Sequence, residues 1–181
     1  MSVRDQIVRY AGWGVAHASQ IHYAQRRPID GIGHREKLPL TTDCSGFATD
    51  CFNWAGASDP NGRRYDGYGY TGSMLGACRH ISRGQAEPGD LVVFGAGSGT
   101  HVVILVGTGS DPLVVSHGQE IGPIRCRLSV EARAHAGQPM TFLSATARNA
   151  AFAPPPPEEV ETLSNPPTEE GLIDPSDTED E

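Results

Sequence analysis

Three stretches of sequence decide the fold of this chain: TDCSGFATDCFNWAG at residues 42–56, EPGDLVVFGAGSGTHVVILVG at residues 87–107, and LVVSHG at residues 113–118. In the first stretch, Phe47, Cys51 and Trp54 recur at helical spacing, and the pattern stops at a glycine. The other two stretches contain short apolar runs bounded by turn residues, which are typical of strands. Because helices precede consecutive strands, we expect an α+β domain in which N-terminal helices pack on a central antiparallel β-sheet.

The flanking sequence extends this pattern. Residues 3–20 are expected to form a first helix, which Ser2 and Asp5 would cap. A Pro- and Gly-punctuated surface loop is expected over residues 26–42, and a short third helix over residues 73–81. We predict a sheet of about five strands, at residues 90–94, 101–107, 113–117, 124–128 and 140–145.

Charge is distributed unevenly along the chain. All 14 Lys and Arg lie before Pro154 together with 12 of the 22 Asp and Glu, so this part carries a charge of about +2. The other 10 acidic residues lie in the last 28 positions. We predict a folded domain over residues 1–150, followed over residues 151–181 by a Pro-rich stem and an acidic, disordered tail. The arginines form no basic stripe, so no nucleic acid is expected as a partner.

The composition also argues against several classes of protein. The sequence has no run of about 18 apolar residues, so no membrane span is expected. Arg4, Asp5 and Arg9 lie where a signal peptide needs an uncharged segment, so no signal peptide is expected either. The four cysteines are then expected to be thiols, and their spacing lacks the C-x-x-C pairs of a structural zinc site. We therefore predict no metal and no cofactor.

Cys44 is the first candidate for chemistry. Thr42 and Asp43 are good helix N-caps, which places the sulfur near the positive end of a helix, where a thiolate is favoured. Ser45 and Gly46 keep the surroundings small, and the backbone N–H of Cys44 is a candidate donor to an oxyanion. The alternative, a buried structural thiol, is equally compatible with this local pattern. Cys51 and Cys78 lack such surroundings and are expected in the core.

A thiol nucleophile needs a base, and the base needs a partner that holds its tautomer. His101 begins the run HVVILV, and His117 ends the run LVVSHG. If the two runs pair as neighbouring antiparallel strands, both imidazoles lie at one end of the sheet. His101 would then face Cys44, and His117 would orient His101. The alternative for each histidine is a purely structural role.

Taken in order, the three stretches resemble the NlpC-type family of cell-wall cysteine peptidases, over roughly residues 20–120. The resemblance implies a papain-like core in which Cys44 attacks, His101 acts as base and then acid, and His117 orients the imidazole. It implies hydrolysis of a peptide bond in the peptidoglycan stem peptide, commonly between D-glutamate and the following diamino acid. Stem peptides are thus the expected partner.

The resemblance also suggests groups that contact substrate. It implies that a hydroxyl from Tyr23 lies near the oxyanion and that Asp43 and Ser45 hold the amino end of the substrate. Family members usually carry Y-x-W-G-G before the nucleophile, whereas this chain has Tyr23-Ala24-Gln25-Arg26-Arg27. Packing in the core is therefore an equal alternative for Tyr23.

The loop after the nucleophile helix adds a biological setting. Its sequence DPNGRRYDGYGYTG, residues 59–72, is similar to that of phage-encoded members that infect actinobacteria. This similarity implies an endolysin or a virion-associated hydrolase, held in the host cytoplasm before release or carried on the particle. The acidic tail would then dock to a virion protein, occupy a basic surface, or only keep the chain soluble. Tyr65, Tyr68 and Tyr70 would form a substrate wall or make plain loop contacts.

Two other functions remain open from the sequence. A related amidase uses the same Cys and His chemistry on the bond that joins sugar to peptide. A catalytically inactive module would keep the fold and bind the wall or the virion, although Cys44, His101 and a candidate orienting residue are all present.

Overall fold

A computed structural model describes residues 1–118 and 121–149 of the 181-residue chain. The predicted stem and tail, residues 151–181, lie outside the described residues. The helices are α1 (Val3–Ala16), α2 (Cys44–Trp54), α3 (Thr71–Ala77) and α4 (Leu128–Ala134). The strands are β1 (Ile21–Tyr23), β2 (Leu40–Thr42), β3 (Cys78–Ile81), β4 (Leu91–Phe94), β5 (His101–Leu105), β6 (Leu113–Ser116), β7 (Ile124–Arg127) and β8 (Met140–Arg148).

Six of these strands form one antiparallel sheet in the order β3-β8-β4-β5-β6-β7, and β1 pairs with β2 in a small parallel sheet. The predicted α+β class is confirmed, and the five predicted strands correspond to β4 through β8. The sheet has a sixth strand, β3, where we expected the end of a helix over residues 73–81. Pairing with β8 explains the difference, because it draws Cys78–Ile81 out of the helix and into the ladder.

The two faces of the sheet are covered by different helices. Alternate residues of β5 separate into two clusters, because successive strand side chains point to opposite faces. Val102 and Ile104 join the core formed with α1 and α2. Val103 and Leu105 join a second core, which includes Leu128 of α4. The sheet is thus the middle layer, and every side chain of β5 faces one helical layer or the other.

Local sequence explains where α1 and α2 begin. The Ser2 hydroxyl accepts from the backbone N–H of Asp5, and the Asp5 carboxylate accepts from that of Ser2, which forms the predicted capping box. The Asp43 carboxylate accepts from the N–H of Gly46 at 2.7 Å and so caps α2. A β-carbon at Gly46 would lie 2.1 Å from the Thr42 Oγ1 atom, so the turn that carries the nucleophile requires glycine here.

A buried ion pair ties the first helix to the sheet. Asp90, just before β4, is fully buried and pairs with the guanidinium of Arg4 in α1. The same carboxylate accepts from the backbone N–H of Ala145 at 2.7 Å and from that of Glu87 at 2.8 Å. Asp90, which leads into β4, is therefore joined to α1 and β8, because Arg4 and Ala145 each supply a donor to one buried charge.

Asp50 in α2 has an environment that its sequence position does not suggest. Its carboxyl is fully buried against the backbone of Gly31, and burial, followed by the charges of Asp30 and Asp43, raises its pKa well above the usual value. The 26–42 loop folds over this part of α2, as the bond from Trp54 Nε1 to the Gly31 carbonyl also shows. Among the described residues, no helix has the length and apolar character that crossing a membrane requires.

Candidate active site

Cys44 is the first residue of α2 and lines a cleft of about 600 Å³. The thiol is largely buried, since the residue is 7% exposed. Its position in the first turn agrees with the sequence-based expectation. The first N–H groups of a helix have no intrahelical acceptor, so this end of α2 can stabilise negative charge on a thiolate or on an oxyanion.

His101 is the first residue of β5, is 6% exposed, and lies close enough to Cys44 for the two side chains to interact. Burial on its own lowers the pKa of this imidazole. Interactions with Cys44, and next with Glu131, outweigh burial and raise the pKa to about 9. The structure thus brings the predicted nucleophile and the predicted base together, with the imidazolium form of His101 favoured at neutral pH.

The other ring nitrogen of His101 has two polar partners. The Nε2 atom lies 3.0 Å from the Ser116 hydroxyl and 3.5 Å from Oε2 of Glu131. Because Nε2 has these partners, Nδ1 is the nitrogen left to interact with Cys44. Glu131 belongs to α4, is buried, and accepts a hydrogen bond from the Cys126 thiol at 3.3 Å. Burial raises the pKa of Glu131, but its bonds to His101, Cys126 and Ser116 lower the pKa more, so the carboxylate is charged beside the imidazolium.

Strand parity decides which neighbour reaches His101. Ser116 of β6 pairs with Val103 of β5, and His101 is two residues before Val103. All three side chains therefore belong to the face of the sheet that α4 covers. The next residue, His117, has the opposite parity and points to the other face.

His117 therefore does not make the contact that we expected of it. Its Nε2 atom lies 3.1 Å from the carbonyl oxygen of Thr42, and its ring packs edge-on against Tyr23 and Phe47. The contacts give the orienting position to Ser116 and Glu131 instead, which corrects the sequence-based assignment. His117 supports the backbone that leads into the nucleophile.

His101, Glu131 and His135 also form a group whose ligand atoms lie within 4.8 Å of one another, a spacing that can suit a metal. The rings of His101 and His135 are stacked, with centroids 4.9 Å apart and an angle of 13° between planes. Nitrogen lone pairs of nearly parallel, stacked rings do not converge on one point, so the arrangement fits poorly to a metal ion. The His135 ring stacks on the His101 ring, and Nε2 of His135 lies 3.8 Å from Oε2 of Glu131.

The cleft wall beside the nucleophile carries a residue that the sequence did not single out. The Arg27 guanidinium pairs with Asp43 Oδ2 at 3.1 Å and donates to the Ser45 hydroxyl at 2.9 Å. Ser45 in turn donates to Asp43 Oδ1 at 2.9 Å. The two residues expected to hold the amino end of a substrate are therefore already bonded to Arg27.

Tyr23 lies on β1, opposite Thr42 of β2, with its ring 5.4 Å from that of His117. It is half-buried near the entrance to α2, and a role for its hydroxyl at the oxyanion stays a prediction.

The loop after α2 contributes to the cleft. Tyr68 and Tyr70 line it and are 55% and 49% exposed, whereas Tyr65 is half-buried and donates its hydroxyl to the carbonyl of Ala57. Two of the three tyrosines thus form a wall that faces solvent and the nucleophile, while the third packs inside. Such exposed aromatic rings are suited to contact with a peptide or sugar.

A model of the NlpC/P60 family matches residues 30–126. A probable endopeptidase p60 from Listeria welshimeri is 43% identical over 72 residues, which make up 39% of this chain and 12% of that protein. The peptidoglycan endopeptidase RipB from Mycobacterium tuberculosis is 33% identical over 67 residues, covering 37% of this chain and 24% of RipB. The matched segment is thus a small part of each relative.

Solved structures show the same fold. The structure of RipB from Mycobacterium tuberculosis has a TM-score of 0.54 at 18% identity, covering 80% of this chain and 65% of that chain. The NlpC/p60 domain of the peptidoglycan hydrolase SagA has a TM-score of 0.52 at 21% identity, covering 78% of this chain and 97% of that chain. Arg27 and Glu131 both lie outside the segment that the family model matches.

Proposed function

Because this chain belongs to the NlpC/P60 family, whose model matches more than half of its residues, we propose that it is a cysteine endopeptidase that cleaves peptidoglycan stem peptides. The observation that carries this proposal is that Cys44, which lines an open cleft, lies close enough to His101 to raise the pKa of its imidazole. The family and its peptidoglycan endopeptidase relatives support a role as a cell-wall hydrolase.

The proposed reaction begins with attack by the Cys44 sulfur on the carbonyl carbon of the scissile bond. The carbonyl oxygen becomes an oxyanion, which the backbone N–H at the start of α2 stabilises. The C–N bond then breaks as the Nδ1–H of His101 gives its proton to the leaving amine. An acyl thioester and a neutral imidazole remain.

Water completes the cycle. His101 removes a proton from the water as its oxygen attacks the thioester carbonyl. The C–S bond breaks, a carboxylic acid leaves, and the thiolate and imidazolium are restored. Throughout, Ser116 and Glu131 accept from Nε2 and hold Nδ1 toward the sulfur. These two residues are positioning residues, because they act on the substrate only through His101.

The finer points of the proposal concern the bond and the setting. We propose cleavage between D-glutamate and the following diamino acid, as the family resemblance implies. The similarity of residues 59–72 to phage-encoded members supports a lysin that acts on the cell wall from the host cytoplasm or from the virion. In this setting the acidic tail, residues 151–181, is a candidate docking segment for a virion protein.

The test is digestion of purified cell walls from several bacteria, with the released fragments identified by mass. Cleavage inside the stem peptide is expected, and Cys44→Ala and His101→Ala are each expected to lower turnover by about 10³-fold or more while circular dichroism stays unchanged. An amidase would instead release whole stem peptides. No fragments from any wall, or full activity in Cys44→Ala, would refute the proposal.

A further inference from the structure

We propose that Arg27 makes the cleft select substrates whose amino group beside the nucleophile is acylated, and reject those that present a free ammonium group there. This inference rests on the proposed function and concerns the same site. The selected substrates would be stem peptides that are still joined to other wall components through their amines.

The contacts of Arg27 show that its guanidinium is part of the cleft wall. The side chain is held from three directions, by Asp43 and Ser45 at the start of α2 and by the backbone of the loop after it. Nε donates to the Gly69 carbonyl at 2.8 Å, and Nη1 donates to the carbonyl of Arg26 at 2.6 Å. Arg27 lines the cleft together with Cys44.

All five N–H groups of the Arg27 guanidinium have an acceptor nearby. Nε bonds to Gly69, Nη1 to Arg26 and Asp43 Oδ2, and Nη2 to Ser45 and, at 3.4 Å, to Asp43 Oδ1. Such a fork is rigid, and a two-armed pair with a carboxylate is stronger than a single contact.

The same contacts give both carboxylate oxygens of Asp43 hydrogen-bond or ion-pair partners. Its Oδ1 accepts from the Gly46 N–H and the Ser45 hydroxyl and faces Nη2 of Arg27, while Oδ2 pairs with Nη1. The carboxylate is buried, so few directions remain from which another donor can approach. A substrate ammonium at this wall would have to displace the guanidinium.

The charges that line the cleft lead to the same conclusion. Apart from the Cys44 sulfur, the acidic and basic side chains of the described lining that carry a charge at neutral pH are Asp43 and Arg27, and they neutralise each other. An ammonium group that enters at this wall loses hydration while Asp43 is already paired, and it is repelled by Arg27. An amide at the same place carries no charge and avoids both costs.

Stem peptides offer two amines that can be free or acylated. The amino end of the peptide is acylated while the stem is attached to the glycan, and the side-chain amine of the diamino acid is acylated in cross-linked wall. The test therefore uses four versions of one stem tetrapeptide: both amines free, either one acetylated, or both acetylated. The readout is kcat/KM for cleavage, measured by mass spectrometry of the products.

The variants are wild type, Arg27→Met and Arg26→Met. Methionine keeps the length of the side chain but removes its charge and donors. Arg26 is the matched control, because its side chain is exposed and does not line the cleft. Ratios between peptides are compared within each variant, so a partly unfolded sample does not affect the result.

Wild type and Arg26→Met are expected to prefer one of the acetylated peptides over the fully free peptide by about tenfold or more, since a charged hydrogen bond is at stake. The acetyl group that matters identifies which amine meets Arg27. In Arg27→Met the preference is expected to fall toward unity or to reverse, because Asp43 becomes available to an ammonium. Equal cleavage of all four peptides by wild type, or a preference that survives in Arg27→Met, would overturn the inference. Lack of cleavage of any peptide and of intact wall would instead refute the proposed function.

Discussion

At the residue scale, the site is defined by the two nitrogens of one imidazole. Nδ1 of His101 faces Cys44, and Nε2 faces Ser116 and Glu131. A histidine that meets an acceptor on each side is stabilised as the imidazolium, which agrees with its raised pKa. The buried carboxylate of Glu131 therefore has a direct effect on the proton that the reaction uses.

Glu131→Gln tests this coupling. The glutamine keeps the size of the side chain but removes the Glu131 charge, which after Cys44 is the second cause of the raised pKa of His101, so that pKa should fall below about 9. The alkaline limb of the pH profile of kcat/KM is expected to move to lower pH, and kcat at pH 8 to fall about 10- to 100-fold. A change in stability alone would not move this limb.

The same pKa also gives the direction of a change in stability. The folded pKa of His101 is raised above its unfolded value, so the stabilisation is fully present below about pH 6.5 and is lost as pH rises through about 9.

Glu36→Gln, which alters an exposed carboxylate paired with Arg9, is the matched control for Glu131→Gln and should leave the pH profile of kcat/KM unchanged. An alkaline limb in Glu131→Gln identical to that of wild type would contradict the assignment of Glu131.

At the scale of elements, one buried amide links the loop between α2 and α3 to both helices. Asn61 donates from Nδ2 to the Thr49 hydroxyl of α2 at 2.9 Å and accepts at Oδ1 from Ser73 of α3 at 2.8 Å. The loop carries Tyr68 and Tyr70 on the cleft wall. The two helices thereby help to position this surface, together with the Asp59 carboxylate, which accepts from the backbone N–H groups of Arg63 and Tyr65.

We expect Asn61→Ala to loosen this wall without touching the nucleophile. Removing the amide leaves the buried Thr49 hydroxyl without this donor and lowers the free energy of unfolding by about 1–3 kcal/mol. KM should rise severalfold while kcat changes less, because substrate contacts are lost and the Cys44–His101 pair is kept. Denaturant unfolding and steady-state kinetics measure the two effects. A fall in kcat with KM unchanged would show that the loop acts on chemistry instead.

At the scale of the whole molecule, the sheet is a shared middle layer, and the site lies where both helical layers meet its end. α2 brings the thiol from one side, and α4 brings Glu131 from the other. Thr100, just before β5, lines the cleft with Cys44, and His101 interacts with Cys44 from one layer and Glu131 from the other. The stability of this layered body therefore affects the geometry of the site.

Asp50 in α2 is a fully buried carboxyl group. Its pKa is raised in the folded state by burial, so the folded chain holds a proton that the unfolded chain releases above about pH 4. The free energy of unfolding should therefore fall as pH rises from about 4 toward neutral. Asp50→Asn removes this dependence and is expected to stabilise the protein at pH 7 by about 1–3 kcal/mol.

Denaturant unfolding between pH 4 and pH 8 measures this prediction. Asp66→Asn is the control, and its effect on stability should have the opposite sign. Arg63 lowers the pKa of the exposed Asp66 carboxylate, so removing the carboxylate charge should slightly destabilise the protein at pH 7. A fall in stability at pH 7 in Asp50→Asn, with no change in its pH dependence, would contradict the protonated state of Asp50.

The amino-acid sequence by itself determined the layered α+β class, the helix that starts at Cys44, and the strand that starts at His101. These features are local, because a cap, a helical repeat and an apolar run are each written in adjacent residues. The sixth strand, β3, was not predicted, because its partner in the ladder, β8, is distant in sequence.

Only the tertiary structure decided what surrounds those two residues. Ser116 rather than His117 reaches His101, because one step along a strand turns a side chain to the opposite face, and only the register with β5 settles which face α4 covers. Glu131 and Arg27 reach the site from segments distant in sequence, so no local pattern marks them. The nucleophile and base are local features of the sequence, whereas their partners are set by long-range packing.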